Sequence, residues 1–272
     1  TMPWKIVYIG LLLTLQSTFA DTHTSLDGIA IDTSGISTPT LAESDNQRPD
    51  FRNINDAQQK KAAFFNYLLP QVRKANQAIG KERQLLFSFH DQLTQLGFLA
   101  IQQQQQLKDI SKKYRHATPS SINPEDSAWV ALLARVDAIP ASLVLAQAAN
   151  ESAWGTSRFA VDANNFFGIW CYSPGCGLKP RQRSESATHE VKRYPSVGDG
   201  VGGYMLNLNT HKAYSSLRKL RMTQRDLRAP LRGSLLAEGL IAYSSRGIDY
   251  VRDIQRMILT NQLEAFSKPH SV

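Results

Sequence analysis

The sequence predicts an α+β fold that is mainly helical and has only a small β component. Apolar residues recur at three- and four-residue steps through much of 56–114, which is typical of helices. Two further helices are expected to begin at the prolines at positions 124 and 140. No alternating pattern is long enough for a large sheet, and only a short hairpin is expected, at 180–195.

The N-terminus has the residue order of a secretory signal peptide, which we assign to residues 1–20. Lys5 precedes an apolar run at 6–15, and Thr18 and Ala20 are small residues placed before Asp21. The run is too short to cross a bilayer, which takes about 20 apolar residues. The alternative is an uncleaved membrane anchor. We therefore expect a mature protein outside the cytoplasm, with no stable membrane span after cleavage.

The rest of the chain is expected to form three segments. Residues 21–50 are rich in Ser, Thr, Asp, Gly and Pro and are predicted to be a flexible linker. Residues 51–118 are predicted to be a helical accessory region without catalytic residues, in which Pro70 kinks or restarts the helix. Residues 119–265 are predicted to be a second domain, which the 272-residue length allows.

The two cysteines, Cys171 and Cys176, are predicted to form a disulfide. Pro174 and Gly175 lie between them and favour a turn that brings the thiols together, and an oxidising compartment would close the bond. Two alternatives remain at this point. The pair could be half of a metal site, although no second Cys or His pair has zinc spacing. Cys171 could also be the nucleophile of a cysteine peptidase, with His189 or His211 as its base.

The chain is basic, with 31 Lys and Arg against 23 Asp and Glu. The excess is concentrated at 179–193 and 212–232. A basic face suits any polyanion, but export argues against nucleic acid as a partner. The alternative is a solvated basic helix surface without a binding role.

A candidate catalytic residue lies in the helix expected after position 140. Leu143, Gln147 and Glu151 are spaced by four residues and share one stripe of that helix. Because Leu143 marks the stripe as core-facing, Glu151 is expected to point inward from the last turn. A carboxylic acid beside aromatic residues is what a glycosidase uses to protonate a leaving oxygen. Aromatic residues follow at Trp154, Phe166, Phe167 and Trp170. The alternative is a glutamate paired with an arginine.

Several segments resemble the signature of glycoside hydrolase family 73, which are bacterial β-N-acetylglucosaminidases. LAQAANESAWG at 145–155 and NNFFGI at 164–169 carry the resemblance, and YPSV at 194–197, GY at 203–204, AYS at 242–244 and YV at 250–251 extend it. Within the family, the resemblance includes the Bax-type proteins of Gram-negative bacteria and covers residues 55–265. It implies a lysozyme-like domain, peptidoglycan glycan strands as the substrate, a periplasmic location, and no metal or organic cofactor. It says nothing about protein partners.

The resemblance also assigns individual residues. Glu151 matches the catalytic acid, and Tyr243 matches a tyrosine that lines the cleft and orients the substrate or water. Ala153 stands where the family usually has glycine. The positions that match substrate-binding or cleft-framing residues are Gln147, Trp154, Asn165 and Phe167.

A second carboxylate is expected in the hairpin that follows the loop with Phe166, Phe167 and Trp170, which we call the aromatic loop. Glu190 is preferred because the string ATHEV at 187–191 resembles the Bax-type pattern, and Glu185 is the alternative. The acetamido group of the substrate could also serve as the nucleophile. The sequence does not distinguish retention from inversion.

These observations predict a secreted peptidoglycan hydrolase that cleaves the β-1,4 bond on the reducing side of N-acetylglucosamine, with Glu151 as the general acid. The alternative is a non-catalytic peptidoglycan-binding protein with a degenerate cleft. Ala153 and the uncertain second acid leave that alternative open.

Overall fold

The computed structural model describes residues 48–181 and 188–267. The first and longest helix in this part of the chain is α1 (Ala57–Leu96). The side chain of Asp56 caps its start by accepting a hydrogen bond from Gln59 N, and Gly97, at φ 78°, ends it. The predicted signal peptide and nearly all of the predicted linker lie outside the described residues.

Helix α1 runs without interruption through Pro70, so the helix does not restart there, and the expected kink stays a prediction. A proline inside a helix costs about 3 kcal/mol, because it removes one hydrogen bond and crowds the preceding turn. Large apolar side chains are buried on both sides of it, and each stabilises the fold by roughly 1.5–3 kcal/mol. Burial therefore outweighs the local cost. These side chains are Phe64, Phe65, Leu68, Leu69 and Val72.

The remaining elements confirm a mainly helical α+β fold. The α-helices are α2 (Ile101–Lys113), α3 (Ala128–Arg135), α4 (Ala141–Glu151), α5 (Arg158–Ala163), α6 (Val197–Thr210), α7 (Ser215–Asp226), α8 (Gly233–Leu236) and α9 (Ile248–Thr260). Short 3₁₀ helices span Lys212–Tyr214, Ala237–Tyr243 and Leu263–Ser267. Among the described helices, none has both the length and the apolar character needed to cross a membrane.

The predicted hairpin is part of a small three-stranded antiparallel sheet. Its strands are β1 (Trp170–Cys171), β2 (Gly177–Leu178) and β3 (Glu190–Lys192), in the order β1–β3–β2. Strands β2 and β3 form the hairpin, whose connection at 182–187 lies outside the described residues. A side chain at position 177 would collide with the carbonyl oxygen of Val191, so the close approach of these strands requires Gly177.

Helix α4 lies at the centre of the core. Every residue from Ala141 to Ala149 is buried, and the helix packs against α1, α8, α9 and the last 3₁₀ helix. Helix α1 also packs against α6, so the N-terminal helices share this core. Only the C-terminal end of α4 approaches solvent, where Asn150 is exposed and Glu151 is half-buried.

Two arginines of the basic segment 212–232 lie in the interior. Arg221 is fully buried and Arg218 is 8% exposed, so neither belongs to a basic surface of the kind expected from the sequence. Arginine suits this position because one guanidinium supplies five donors to carbonyl groups that a loop leaves open. Arg221 donates to the carbonyl oxygens of Ala134, Asp137 and Ala138 and to the side chain of Asn209.

Candidate active site

A sharp turn places Glu151 at the end of α4. The two residues at 153 and 154 have left-handed backbone conformations, with φ of 50° for Ala153 and 58° for Trp154. The hydroxyl of Ser152 accepts a hydrogen bond from Gly155 N and closes the turn. Because the helix stops here, the side chain of Glu151 is not covered by a further helical turn and can reach the surface.

We expect Ala153→Gly to stabilise the protein. A left-handed conformation costs an L-residue roughly 1–2 kcal/mol that glycine avoids, so the unfolding free energy should rise by about 1 kcal/mol. Thermal unfolding followed by circular dichroism measures this change. The control is Ala78→Gly on the exposed face of α1, which should lower stability by about 0.5–1 kcal/mol. A fall in stability for Ala153→Gly would show that this turn is not strained.

A chain of side-chain hydrogen bonds connects the core to Glu151. The hydroxyl of Tyr204 donates to Gln147 Oε1, and Gln147 Nε2 donates to the hydroxyl of Tyr250 at 2.9 Å. Tyr250 in turn donates to Glu151 Oε1 at 2.8 Å. Gln147 has no exposed surface, and both ends of its amide are used. The amide therefore fixes the direction of the Tyr250 hydroxyl, which fixes one oxygen of Glu151.

The second carboxylate oxygen of Glu151 has a different environment. Within 48–181 and 188–267, no hydrogen bond reaches Glu151 Oε2 and no Lys, Arg or His forms an ion pair with this residue. The contacts to Oε1 come from Tyr250 and from the exposed side chain of Asn150 at 3.2 Å. The structure thus does not support the alternative of an arginine-paired glutamate, and it leaves Oε2 available to a ligand.

Four tyrosines feel the charge of Glu151 and keep their protons at neutral pH. Burial raises the pKa of each hydroxyl, and the nearby negative charge of Glu151 raises it further. The neighbours of the carboxylate are therefore neutral hydroxyl groups that add no second negative charge. These tyrosines are Tyr204, Tyr214, Tyr243 and Tyr250.

Tyr243, the predicted cleft tyrosine, links the environment of Glu151 to the aromatic loop. Its ring lies parallel to that of Tyr250, with 5.4 Å between the ring centroids. Its hydroxyl donates to the carbonyl oxygen of Phe167 at 2.9 Å, and the ring of Phe167 stacks on Tyr204 at 3.9 Å. The predicted site residues are thus brought together, but the hydroxyl of Tyr243 is engaged in holding the loop.

Asn165 organises the turn that carries Phe167. Its amide nitrogen donates to the carbonyl oxygens of Ile169 and Lys192, and its oxygen accepts hydrogen bonds from the backbone N–H groups of Phe167 and Ile169. Asn165 and Phe167 are 1% and 2% exposed, and Gln147 is fully buried. Their burial favours a positioning role over direct contact with a sugar.

Trp154 is half-buried and packs against α1. Its ring meets those of Phe64 and Phe65 edge-on, each at 5.5 Å, and Lys61 Nζ lies 5.4 Å from its centroid. Trp154 therefore joins the end of α4 to the N-terminal helices. Its predicted contact with substrate stays a prediction.

The two candidates for the second carboxylate are placed differently. Glu190 is 4% exposed, and its two oxygens accept hydrogen bonds from Gly175 N at 3.2 Å and Gly177 N at 2.8 Å. These contacts brace the loop between the cysteines and the start of β2, and they favour a structural role. Glu185 lies outside the described residues. Catalytic roles for Glu190 and Glu185 stay predictions.

The disulfide between Cys171 and Cys176 is confirmed, with 6.2 Å between the Cα atoms. The chain has only two cysteines, so no free thiol remains for a cysteine peptidase. Both sulfur atoms and a carboxylate oxygen of Glu190 lie within 4.8 Å of one another. Because the sulfurs are bonded to each other, they are not the thiolates that a metal site requires.

We expect Tyr250→Phe to impair both catalysis and stability. The variant loses the donor that orients Glu151, so kcat should fall by about tenfold. It also leaves the buried Gln147 Nε2 without its acceptor, at a cost of about 1–3 kcal/mol of unfolding free energy. Turnover of peptidoglycan and thermal unfolding measure the two effects. The control is Tyr67→Phe, whose hydroxyl has no hydrogen bond within the described ranges, and which should change neither quantity.

Sequence reasoning gave no role to Tyr204 or Tyr250, although both belong to motifs that resemble the family. Their spacing could not connect them to Glu151, because Tyr204 is 57 and Tyr250 is 103 residues from Gln147, where they converge. The signal in the sequence was that the motifs GY at 203–204 and YV at 250–251 each contain a tyrosine. The spacing of apolar residues alone would make each of these tyrosines an ordinary core residue.

A cleft of about 970 Å³ lies at the other end of α4. It is lined by residues such as Arg73, Pro140 and Phe266. Since α4 has 11 residues, about 15 Å of helix separates this cleft from Glu151. It is therefore distinct from the candidate active site.

Two similarities relate this chain to known proteins. The family model described as mannosyl-glycoprotein endo-beta-N-acetylglucosaminidase, the Glucosaminidase family, matches residues 126–263. The chain is 35% identical over 214 residues to Protein bax of Escherichia coli (strain K12), an alignment that covers 79% of this chain and 74% of that protein. No solved structure matches the chain.

Proposed function

Since this chain belongs to the Glucosaminidase family, we propose that it is a secreted peptidoglycan hydrolase that cleaves the β-1,4 bond on the reducing side of N-acetylglucosamine. The observation that carries the proposal is the environment of Glu151. Its Oε1 is oriented by Tyr250, whereas its Oε2 has no partner among the residues that the structure describes. An oriented carboxyl group with one open oxygen suits a general acid.

In the proposed first step, the protonated Oε2 of Glu151 donates its proton to the glycosidic oxygen. The bond from that oxygen to C1 of N-acetylglucosamine breaks, and its electron pair stays on the leaving oxygen. Tyr250 holds Oε1 throughout, so that the carboxylate formed by proton loss is stabilised by a hydrogen bond already in place. Water then supplies a hydroxyl group to C1, and its proton returns to the protein or to solvent.

The group that stabilises C1 as the glycosidic bond breaks is open to test. Both oxygens of Glu190 already accept backbone hydrogen bonds, which supports the 2-acetamido group of the substrate as the stabilising group. Glu185 remains the alternative carboxylate. Proton NMR of freshly released products distinguishes retention from inversion, and an acetamido-assisted reaction requires retention.

Export is part of the proposal because the substrate lies outside the cytoplasm. The charged, apolar and small-residue order of residues 1–20 supports secretion across the inner membrane into the periplasm. The disulfide between Cys171 and Cys176 supports an oxidising compartment.

Incubation of the purified protein with peptidoglycan, followed by borohydride reduction and mass analysis, tests the proposed function. Soluble fragments that end in N-acetylglucosaminitol are expected. Fragments that end in muramitol would indicate cleavage of the other glycan bond. Co-sedimentation with the wall without any fragments would favour the non-catalytic binding protein, which the strained Ala153 turn also permits.

A further inference from the structure

An exposed group of aromatic rings lies on the small sheet beside the candidate active site. We call Trp170, Tyr172 and His189 the aromatic platform. Trp170 is 53% exposed and Tyr172 is 68% exposed. The rings of Trp170 and His189 stack at 3.9 Å with 16° between their planes. One face of the indole is therefore supported by the imidazole, and the large exposed fraction of Trp170 leaves its other face open to a ligand.

The platform is held rigidly before any ligand binds. Cys171, between Trp170 and Tyr172, is tied to Cys176 by the disulfide. Glu190, next to His189, accepts hydrogen bonds from the backbone of Gly175, inside the disulfide loop, and of Gly177, in β2. Strand β3 also pairs with β1 on one side and β2 on the other. A rigid ring loses little conformational entropy on binding, which is what an exposed recognition residue requires.

Contacts connect the platform to Glu151. Tyr250, which donates to Glu151, lies parallel to Tyr243, and Tyr243 donates to the carbonyl oxygen of Phe167. Trp170 follows Phe167 by only three residues, which span at most about 11 Å when fully extended. The platform therefore lies close to the loop that Tyr243 holds through the carbonyl oxygen of Phe167.

The chemistry around the platform indicates the type of ligand. A flat, exposed indole offers an apolar face that matches the C–H face of a pyranose ring. The same segment of the chain is rich in basic residues: Lys179, Arg181, Lys192 and Arg193. A sugar strand that carries carboxylates matches both features, because its rings stack while its acidic groups meet the positive charge.

We infer that the aromatic platform is a glycan subsite, in which the open face of Trp170 stacks on a pyranose ring of the same strand that Glu151 cleaves. The inference rests on the proposed function for the identity of that strand. It assigns Glu190 and the disulfide the role of holding Trp170 in place.

Binding of soluble N-acetylglucosamine oligomers to a Glu151→Gln background tests the subsite without hydrolysis. Tryptophan fluorescence of the background variant should respond to the oligomer. Adding Trp170→Ala should remove most of this response. It should also raise Kd by about tenfold, the loss of affinity expected for one central aromatic contact. Adding Trp170→Phe should recover part of the affinity, because it restores an aromatic face. Phe98→Ala, at a similarly exposed ring in the connection between α1 and α2, is the control and should bind like the background.

Kinetics of the otherwise unaltered enzyme separate binding from folding. Trp170→Ala should raise KM for peptidoglycan about tenfold with kcat and thermal unfolding unchanged, because the ring contributes uniform binding and no core packing. If Kd and KM are unchanged in Trp170→Ala, the subsite is wrong. Hydrolysis by the parent would still support the proposed function in that case. If the parent binds the oligomers through Trp170 but hydrolyses no peptidoglycan, the proposed function is wrong and the sugar subsite is supported.

Discussion

Glu151→Gln is expected to lower kcat for release of reducing ends from purified peptidoglycan by roughly 10²–10⁴-fold, the contribution of a general acid. Glutamine has nearly the same shape, and its oxygen can still accept the hydrogen bond from Tyr250. It has no acidic proton for the leaving oxygen. Co-sedimentation of the variant with the wall should match that of the parent, because only the proton is lost.

Two companion variants make this result specific. Glu238→Gln changes an exposed glutamate on the 3₁₀ helix Ala237–Tyr243 and should leave kcat unaltered. If Glu190 braces the disulfide loop, Glu190→Gln should mainly change KM and the stability of that loop. If Glu190 is the second catalytic carboxylate, Glu190→Gln should lower kcat as strongly as Glu151→Gln does. Turnover by Glu151→Gln at the rate of the parent would show that Glu151 is not the acid.

Asp137→Asn is expected to lower the unfolding free energy by about 3–5 kcal/mol, because it leaves the charge of a buried arginine without its counter-ion. Asp137 is 3% exposed, and its Oδ2 lies 3.7 Å from Nε of the fully buried Arg221. Arg225 donates two hydrogen bonds to the same carboxylate, and Arg83 lies 3.8 Å away. Chemical denaturation measures the loss.

A surface aspartate provides the matched control for this variant. Asp249→Asn removes one partner of an exposed i,i+3 ion pair with Arg252, in which both side chains are 66% exposed. It should change stability by less than about 1 kcal/mol. A similarly small effect for Asp137→Asn would mean that the interior arginines are satisfied by carbonyl oxygens alone.

The effect of Asp137→Asn should depend on pH in the acid range. Burial alone would raise the pKa of Asp137, but the hydrogen bond from Arg225 and the charges of Arg221 and Arg83 outweigh it and hold the pKa below its usual value. The stabilisation by this carboxylate is therefore complete above its unfolded pKa of about 4 and is lost as the pH falls through the lower folded pKa. The difference in stability between parent and variant should shrink as the pH is lowered below 4.

The helical part of the fold was predictable where apolar spacing is regular. Helix α4, expected from Pro140 onward, begins at Ala141. The break at Pro70 was not found, because propensity describes an isolated helix whereas α1 is held by burial on both sides of the proline. The sheet has one strand more than the expected hairpin. This strand, β1, was not predicted because it has only two residues, too few to show an alternating pattern.

The candidate site was predictable only in part. Glu151, Gln147 and Tyr243 came from a local stripe and a family resemblance, and the structure brings them together. The hydrogen bonds of Tyr204 and Tyr250 were not predictable, because they join α6 and α9 to α4 across many residues of intervening chain. The side-chain role of Glu190 was likewise hidden, since the amides it accepts from belong to a different strand and loop.

The sequence by itself determined the helical class, the disulfide and the position of a carboxyl group at the end of a buried helix, because each depends on neighbours within one turn or one loop. Only the tertiary structure decided which oxygen of Glu151 is held, why Arg221 lies inside rather than on a basic face, and which aromatic ring remains open beside the site. Those features depend on hydrogen bonds and burial between elements that are distant in sequence, and local spacing carries no record of such contacts.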